Sequence, residues 1–118
     1  MMSVRRSVFS LLFIVSALIG STGHLRAETA RLNGRALTFE TERGNCLACH
    51  QIKGGQQMGD IGPPLLDMRN RFPDRKRLYA QIWDASSFNT DTLMPPYGRQ
   101  QILSDAEINA IIDFLYER

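Results

Sequence analysis

The 118 residues, 13.4 kDa in all, allow one compact domain and little more. Hydrophobic residues at 43% and charged residues at 22% are ordinary globular values, which exclude a disordered, collagenous or repetitive chain. The formal charge of +2 and pI near 8.8 suggest a mildly basic protein, but the sign depends on which residues the mature chain keeps.

The amino terminus reads as an export signal: Arg5 and Arg6 precede an almost wholly apolar run from Val8 to Ile19, followed by Gly20, Ser21, Thr22 and Gly23. Twelve residues are too few to span a bilayer, which needs about 20 in helix. Cleavage is expected after Ala27, with Gly23 as the alternative. Residues 1–27 are then a cleaved signal peptide and 28–118 a periplasmic domain without a membrane anchor. The two arginines also raise a twin-arginine signal, but the residues after them fit that pattern poorly, and ordinary unfolded-chain export is preferred. Cleavage removes Arg5, Arg6 and Arg26 and no acid, leaving 11 basic against 12 acidic residues, a formal charge of −1. That balance, and the compartment, remove the case for a nucleic-acid partner.

From Ala30 to Arg43, Leu32, Ala36 and Phe39 fall at helical spacing, and Gly44-Asn45 ends the element. A loop loosened by Gly54, Gly55 and Gly59 follows, and Met68 begins a short packed helix. Arg75 to Trp83 forms a further helix with Asp74 as its cap, placing Leu78, Tyr79, Ile82 and Trp83 on adjoining faces. Trp83 is expected to pack in the core. The last helix carries the clearest signals. Ser104 and Glu107 make a capping box, Leu103 and Ile108 a hydrophobic staple, and Ile108, Ile111, Ile112 and Leu115 a stripe that should be buried against the N-terminal helix. The basic run Arg69, Arg71, Arg75, Lys76 and Arg77 is read as a solvated face, with a docking patch as a sharper alternative. No strand pattern appears.

The chemistry lies in Cys46-Leu47-Ala48-Cys49-His50, which holds the only cysteines. This is the attachment pattern of a c-type haem, whose propionates are the alternative hydrogen-bond partner for Trp83 and, as counter-charges, a further alternative for the basic run. One helical turn sets two thiols under two vinyl groups, and the adjacent imidazole turns toward the iron. A thioredoxin-type disulfide would sit after a strand, and none is found. A zinc site needs four ligands, yet the one other histidine, His24, leaves with the signal. The unused ring nitrogen of His50 requires an acceptor. Gly62-Pro63-Pro64-Leu65, beginning twelve residues on, offers the Pro63 carbonyl, unless this segment is only a rigid turn.

Three methionines survive cleavage as sixth ligands: Met58, Met68 and Met94. Met58 is eight residues from His50 and would have to double back through the glycine loop. Met94, 44 residues away, has the reach to wrap round the ring, and Pro95 and Pro96 hold its loop extended. Met94 is therefore the expected ligand. A His/Met pair saturates the iron, which favours electron transfer over catalysis at the metal, and soft sulfur raises the potential.

The strings Gly44-Asn45-Cys46-Leu47-Ala48-Cys49-His50, Gly59-Asp60-Ile61-Gly62-Pro63-Pro64-Leu65, Ile82-Trp83-Asp84-Ala85, Met94-Pro95-Pro96-Tyr97-Gly98 and Ile102-Leu103-Ser104 resemble the SoxX family. These are monohaem cytochrome c subunits of the SoxAX complex of sulfur-oxidising bacteria. The haem motif is common to all c-type cytochromes, but Gly-Pro-Pro-Leu and Met-Pro-Pro-aromatic-Gly in this order are more specific. Tyr97 stands where the family leads one to expect Phe.

The resemblance implies an all-α, small class I-like cytochrome c fold wrapped round one covalent haem c, with His50 and Met94 as axial ligands. It also implies a heterodimer with SoxA, whose haem is the place where thiosulfate is joined oxidatively to a cysteine of the carrier SoxY. The chain would then relay electrons from SoxA to a downstream cytochrome c within an L-cysteine S-thiosulfotransferase, contributing no catalytic residue. With no third cysteine it supplies neither SoxA's haem ligand nor a sulfur-accepting thiol. A free periplasmic electron carrier to a terminal oxidase is the alternative.

Overall fold

The computed structural model describes residues 32–118; the expected signal segment and cleavage site, His24 and the first residues of the expected N-terminal helix lie outside them. Asn33 starts the first helix, α1 (Gly34–Phe39), by accepting a hydrogen bond from Ala36 N on its side chain. The helix is much shorter than the Ala30–Arg43 span expected from periodicity. Glu40 is already extended, and the chain folds back so that Gly44 N reaches Leu37 O at 2.9 Å and Asn45 N reaches Glu40 O at 3.0 Å. Asn45 completes the reversal in the left-handed region, φ 47°, which asparagine tolerates better than most residues. Leu32 consequently precedes the cap and is exposed, whereas Leu37, absent from the predicted stripe, is buried.

The reversal delivers Cys46 to a 3-10 turn, Cys46–Ala48. The following loop is laced onto that turn: Gly59 N donates to Leu47 O, Gly62 N to Cys49 O and Leu65 N to Gln51 O, at 2.7 to 2.8 Å. Short α2 (Met68–Arg71) and α3 (Arg75–Trp83) come next, and the Asp74 carboxylate caps α3 through Lys76 N at 2.9 Å, as expected. Leu78 and Ile82 form the buried face of α3. The last helix, α4 (Asp105–Leu115), has both halves of its capping box in place. Its stripe of Ile108, Ile111, Ile112 and Leu115 is buried in the core together with Leu103 and Phe114.

α4 packs against α1 and α3. The α1 crossing is backbone to backbone, since a Cβ on Gly34 would collide with the Ala110 carbonyl. Phe39 meets Phe114 edge to face, with centroids 5.5 Å apart. On the other side Tyr79 donates to Asp105 at 2.6 Å, and Arg75 reaches Asp113 at 2.6 Å and the Asn109 carbonyl at 3.0 Å. The described residues contain no strand, and none of their helices is long and apolar enough to cross a membrane.

Glu107 is one of three buried polar residues, with Thr38 and Asp84, among the described residues. Burial alone would raise its pKa, but hydrogen bonds from the Ser104 amide and hydroxyl, with the Arg43 guanidinium alongside, outweigh this and hold the carboxyl below its ordinary value. The unfolded chain therefore takes up this proton more readily, so the cluster stabilises the fold above the ordinary carboxylate range and weakens as pH falls through the folded value. Glu107→Gln should lower unfolding stability by about 1 to 2 kcal/mol near pH 7, with the gap closing below about pH 4. Denaturant titrations at stepped pH would show it, and a gap independent of pH would rule out the charge as its source.

Candidate haem site

Between the Cys46 turn, the Gly62-Pro63 loop and the Met94 loop lies a cavity of about 550 Å³, floored by Leu78, Ile82, Leu103, Ile111 and Leu115. Ile111 and Leu115, half of the buried α4 stripe, thus belong both to the core and to the cavity's apolar base. Cys46, Cys49, His50 and Met94 all line the cavity.

The thiols of Cys46 and Cys49 are both free, with no disulfide between them. Burial pushes the Cys46 thiol up to about 12, and neighbouring Cys49 acts in the same direction, so Cys46 remains a neutral thiol at physiological pH. His50 N donates to Cys46 O at 2.8 Å, closing the turn that carries both cysteines. His50 Nδ1 lies 2.7 Å from the Pro63 carbonyl. Because a carbonyl only accepts, Nδ1 carries the proton and Nε2 is the free ring nitrogen. Gly62 sits against the face of the ring, and a Cβ there would fall 2.6 Å from Nδ1. The Pro63-Pro64 turn is itself held from behind, since Arg71 Nη1 donates to the carbonyls of Pro64 and Leu66.

The three methionines separate clearly. Met58 is exposed and does not line the cavity; its sulfur accepts a hydrogen bond from Ile52 N at 3.1 Å. Met68 reaches the wall but is only 1% exposed, as a core residue at the start of α2. Met94 is half-buried on a loop whose ends are fastened. Met94 N donates to Thr92 Oγ1 at 3.1 Å, and Gly98 N and Arg99 N both donate to Trp83 O. Arg99 also pairs with Asp84 at 2.6 Å, a carboxylate held below its ordinary range by the Ser86 hydroxyl and by this guanidinium.

Trp83 departs from its expected place in the core. It is 37% exposed, its indole lies against Gly98, and it does not line the cavity. The Met94 loop returns onto the end of α3 through Gly98 N and Arg99 N, which donate to Trp83 O, and the indole packs on that return. The basic run is for the most part the solvated face expected, with Arg69, Arg71, Lys76 and Arg77 exposed and Arg75 half-buried, yet four of its five residues also have partners. Arg75 is tied to α4, Arg77 lies 3.4 Å over the Phe88 ring and Arg69 4.7 Å over Tyr116, while Arg71 lines the cavity. Long aliphatic stems let these charges reach partners that local sequence does not show.

A search of curated proteins returned no match. A family model, cytochrome C oxidase, cbb3-type, subunit III, matches residues 30–115. The chain belongs to that family. It is a c-type cytochrome domain with an all-α fold, and its work is electron transfer through haem c. The residues present fit that group: two free thiols one turn apart, an imidazole with one nitrogen pinned and the other free, and an apolar-floored cavity in the size range of about 300–1,000 Å³ that small-molecule sites occupy. When bound, haem c supplies a one-electron couple buried in an apolar medium. Cys46 and Cys49 would hold it covalently. Pro63 fixes the tautomer and tilt of His50, and Arg71 steadies the turn that carries the Pro63 carbonyl.

Proposed function

We propose that this cytochrome c domain is a periplasmic electron-relay subunit of the SoxX kind, with His50 and Met94 as axial ligands and a SoxA-like cytochrome as its heterodimer partner. The observation that carries the reading is that His50 and Met94, the residues the SoxX resemblance names as ligands, line one cavity, whereas Met58 lies outside it. With both axial positions filled by these side chains, no place would remain for substrate at the metal, which would leave relay as the chemistry.

In such a complex the partner would join thiosulfate to a cysteine of a SoxY-type carrier. The new sulfur–sulfur bond forms as the thiol loses its proton and two electrons leave. This chain would accept them one at a time and pass them to a downstream cytochrome c. The mouth of the cavity supports a docked partner: Ile61 and Leu93 line it and are 66% and 79% exposed. An obligate interface of this sort buries more than about 1,000 Å².

The test is to tag the chain at its C terminus, isolate it from native periplasm and look for a second haem-staining protein in equal amount. Thiosulfate-dependent haem reduction in the presence of a SoxY-type carrier should accompany it. A lone monohaem monomer, inert to thiosulfate but readily oxidised by membranes, would replace this reading with a free carrier serving a terminal oxidase.

A further inference from the structure

We propose that Tyr97 is a positioning residue for Met94: its hydroxyl latches the Met94 loop to the backbone just ahead of the Cys46 turn and so holds the methionine sulfur at the cavity. The inference rests on Met94 as the distal ligand. The Tyr97 hydroxyl donates to the Gly44 carbonyl at 2.5 Å, joining residues 53 apart in sequence, and the side chain is buried.

Gly44 is a firm anchor. Its N–H donates to Leu37 O at 2.9 Å, and a Cβ at this position would lie 2.5 Å from the same carbonyl oxygen and 3.3 Å from Cys46 Sγ. The acceptor is therefore wedged between α1 and the first attachment cysteine. The chain between latch and ligand is stiff as well, because Pro95 and Pro96 have their φ angles locked and Tyr97 N closes back onto Pro95 O at 3.0 Å. Beyond the latch, Ile102 N and Leu103 N both donate to Tyr97 O, tying it to the residues that lead into α4. Met94 thus has little freedom to leave unless Tyr97 moves with it.

A phenylalanine would fill the same space and keep the packing, but would leave the Gly44 carbonyl without this donor. Burial and the neighbouring thiols push the Tyr97 phenol up to about 12, so it remains a donor throughout the physiological range. The latch therefore acts on the equilibrium between a closed loop, with the sulfur at the cavity, and an open one.

The experiment uses ferric holoprotein and its Tyr97→Phe variant. Tyr79→Phe serves as a control that loses a tyrosine hydrogen bond outside the cavity, and Met94→Ala as the ligand reference. The readouts are the far-red methionine-to-iron band as a function of pH and the rate of cyanide binding. Tyr97→Phe should bind cyanide about tenfold faster and lose the band about one pH unit earlier, the upper end of what one neutral hydrogen bond contributes. Tyr79→Phe should match the parent in both. If Met94→Ala abolishes the band and Tyr97→Phe keeps the parental pH profile and cyanide rate, the latch is overturned and the ligand assignment stands. A parent protein without the band overturns both.

Discussion

Met94→Ala should lower the midpoint potential by a sizeable part of the roughly 0.8 V that axial ligands command across haem proteins, and should let cyanide bind without a lag. Thioether sulfur is a soft donor that favours the ferrous state, so its loss favours the ferric one. The substitution should disturb the fold little. Met94 is half-buried on a loop fastened independently by Trp83 O, by the Arg99–Asp84 pair and by the Tyr97 hydroxyl. A changed potential with a nearly unchanged denaturation midpoint is therefore the expected combination. Potentiometric titration with a parallel denaturant curve would measure both. An unchanged potential would exclude Met94 and direct attention to Met68, the other methionine on the cavity wall.

The parts of the molecule that could be read from sequence are those whose causes are local. The capping box of Ser104 and Glu107 and the four-residue stripe lie within one helix, and every element of that reading is in place. Asp74 likewise announces α3, because its acceptor role is settled two residues away at Lys76 N. The overlong first helix failed for the opposite reason. Glu40 to Arg43 carry no local stop signal before Gly44, but the chain turns after Phe39 so that Gly44 and Asn45 set Cys46 at the cavity, a demand imposed by residues elsewhere.

The site divides in the same way. Cys46, Cys49 and His50 were legible as a motif, and Pro63 as an acceptor at a suitable spacing. The residues that hold these groups in place were not. Arg71 was read as one charge in a basic run, yet its guanidinium supports the turn behind His50. Tyr97 was noted only as a departure from Phe, and nothing within a few residues of it reveals an acceptor at Gly44. Sequence spacing shows which side chains the chemistry needs. The donors that fix their angles come from wherever the fold brings backbone close.

Gly62→Ala tests the His50 side of the cavity with a single methyl group. The added Cβ would fall 2.6 Å from Nδ1 and 2.9 Å from Nε2 of the imidazole, inside van der Waals contact with a ring that has no slack. Gly62 N is bonded to Cys49 O and Leu65 N to Gln51 O, each at 2.8 Å, so the loop is pinned to the haem motif on both sides. Either the ring rotates or the loop retreats, and both movements break the Pro63 contact that sets the tautomer. Overpacking of this kind costs about 1–3 kcal/mol in a well-packed interior. The expected result is a low yield of covalent holoprotein, an altered ligand-field spectrum and a shifted potential. Gly55→Ala makes the contrast. Its Cβ would meet chiefly the terminal methyls of Leu47, which can swing aside, so haem yield and spectrum should remain near those of the parent. If Gly62→Ala also kept the parental spectrum and potential, the loop would have to yield without disturbing His50, and the close fit of glycine to imidazole would lose its role in orienting the ligand.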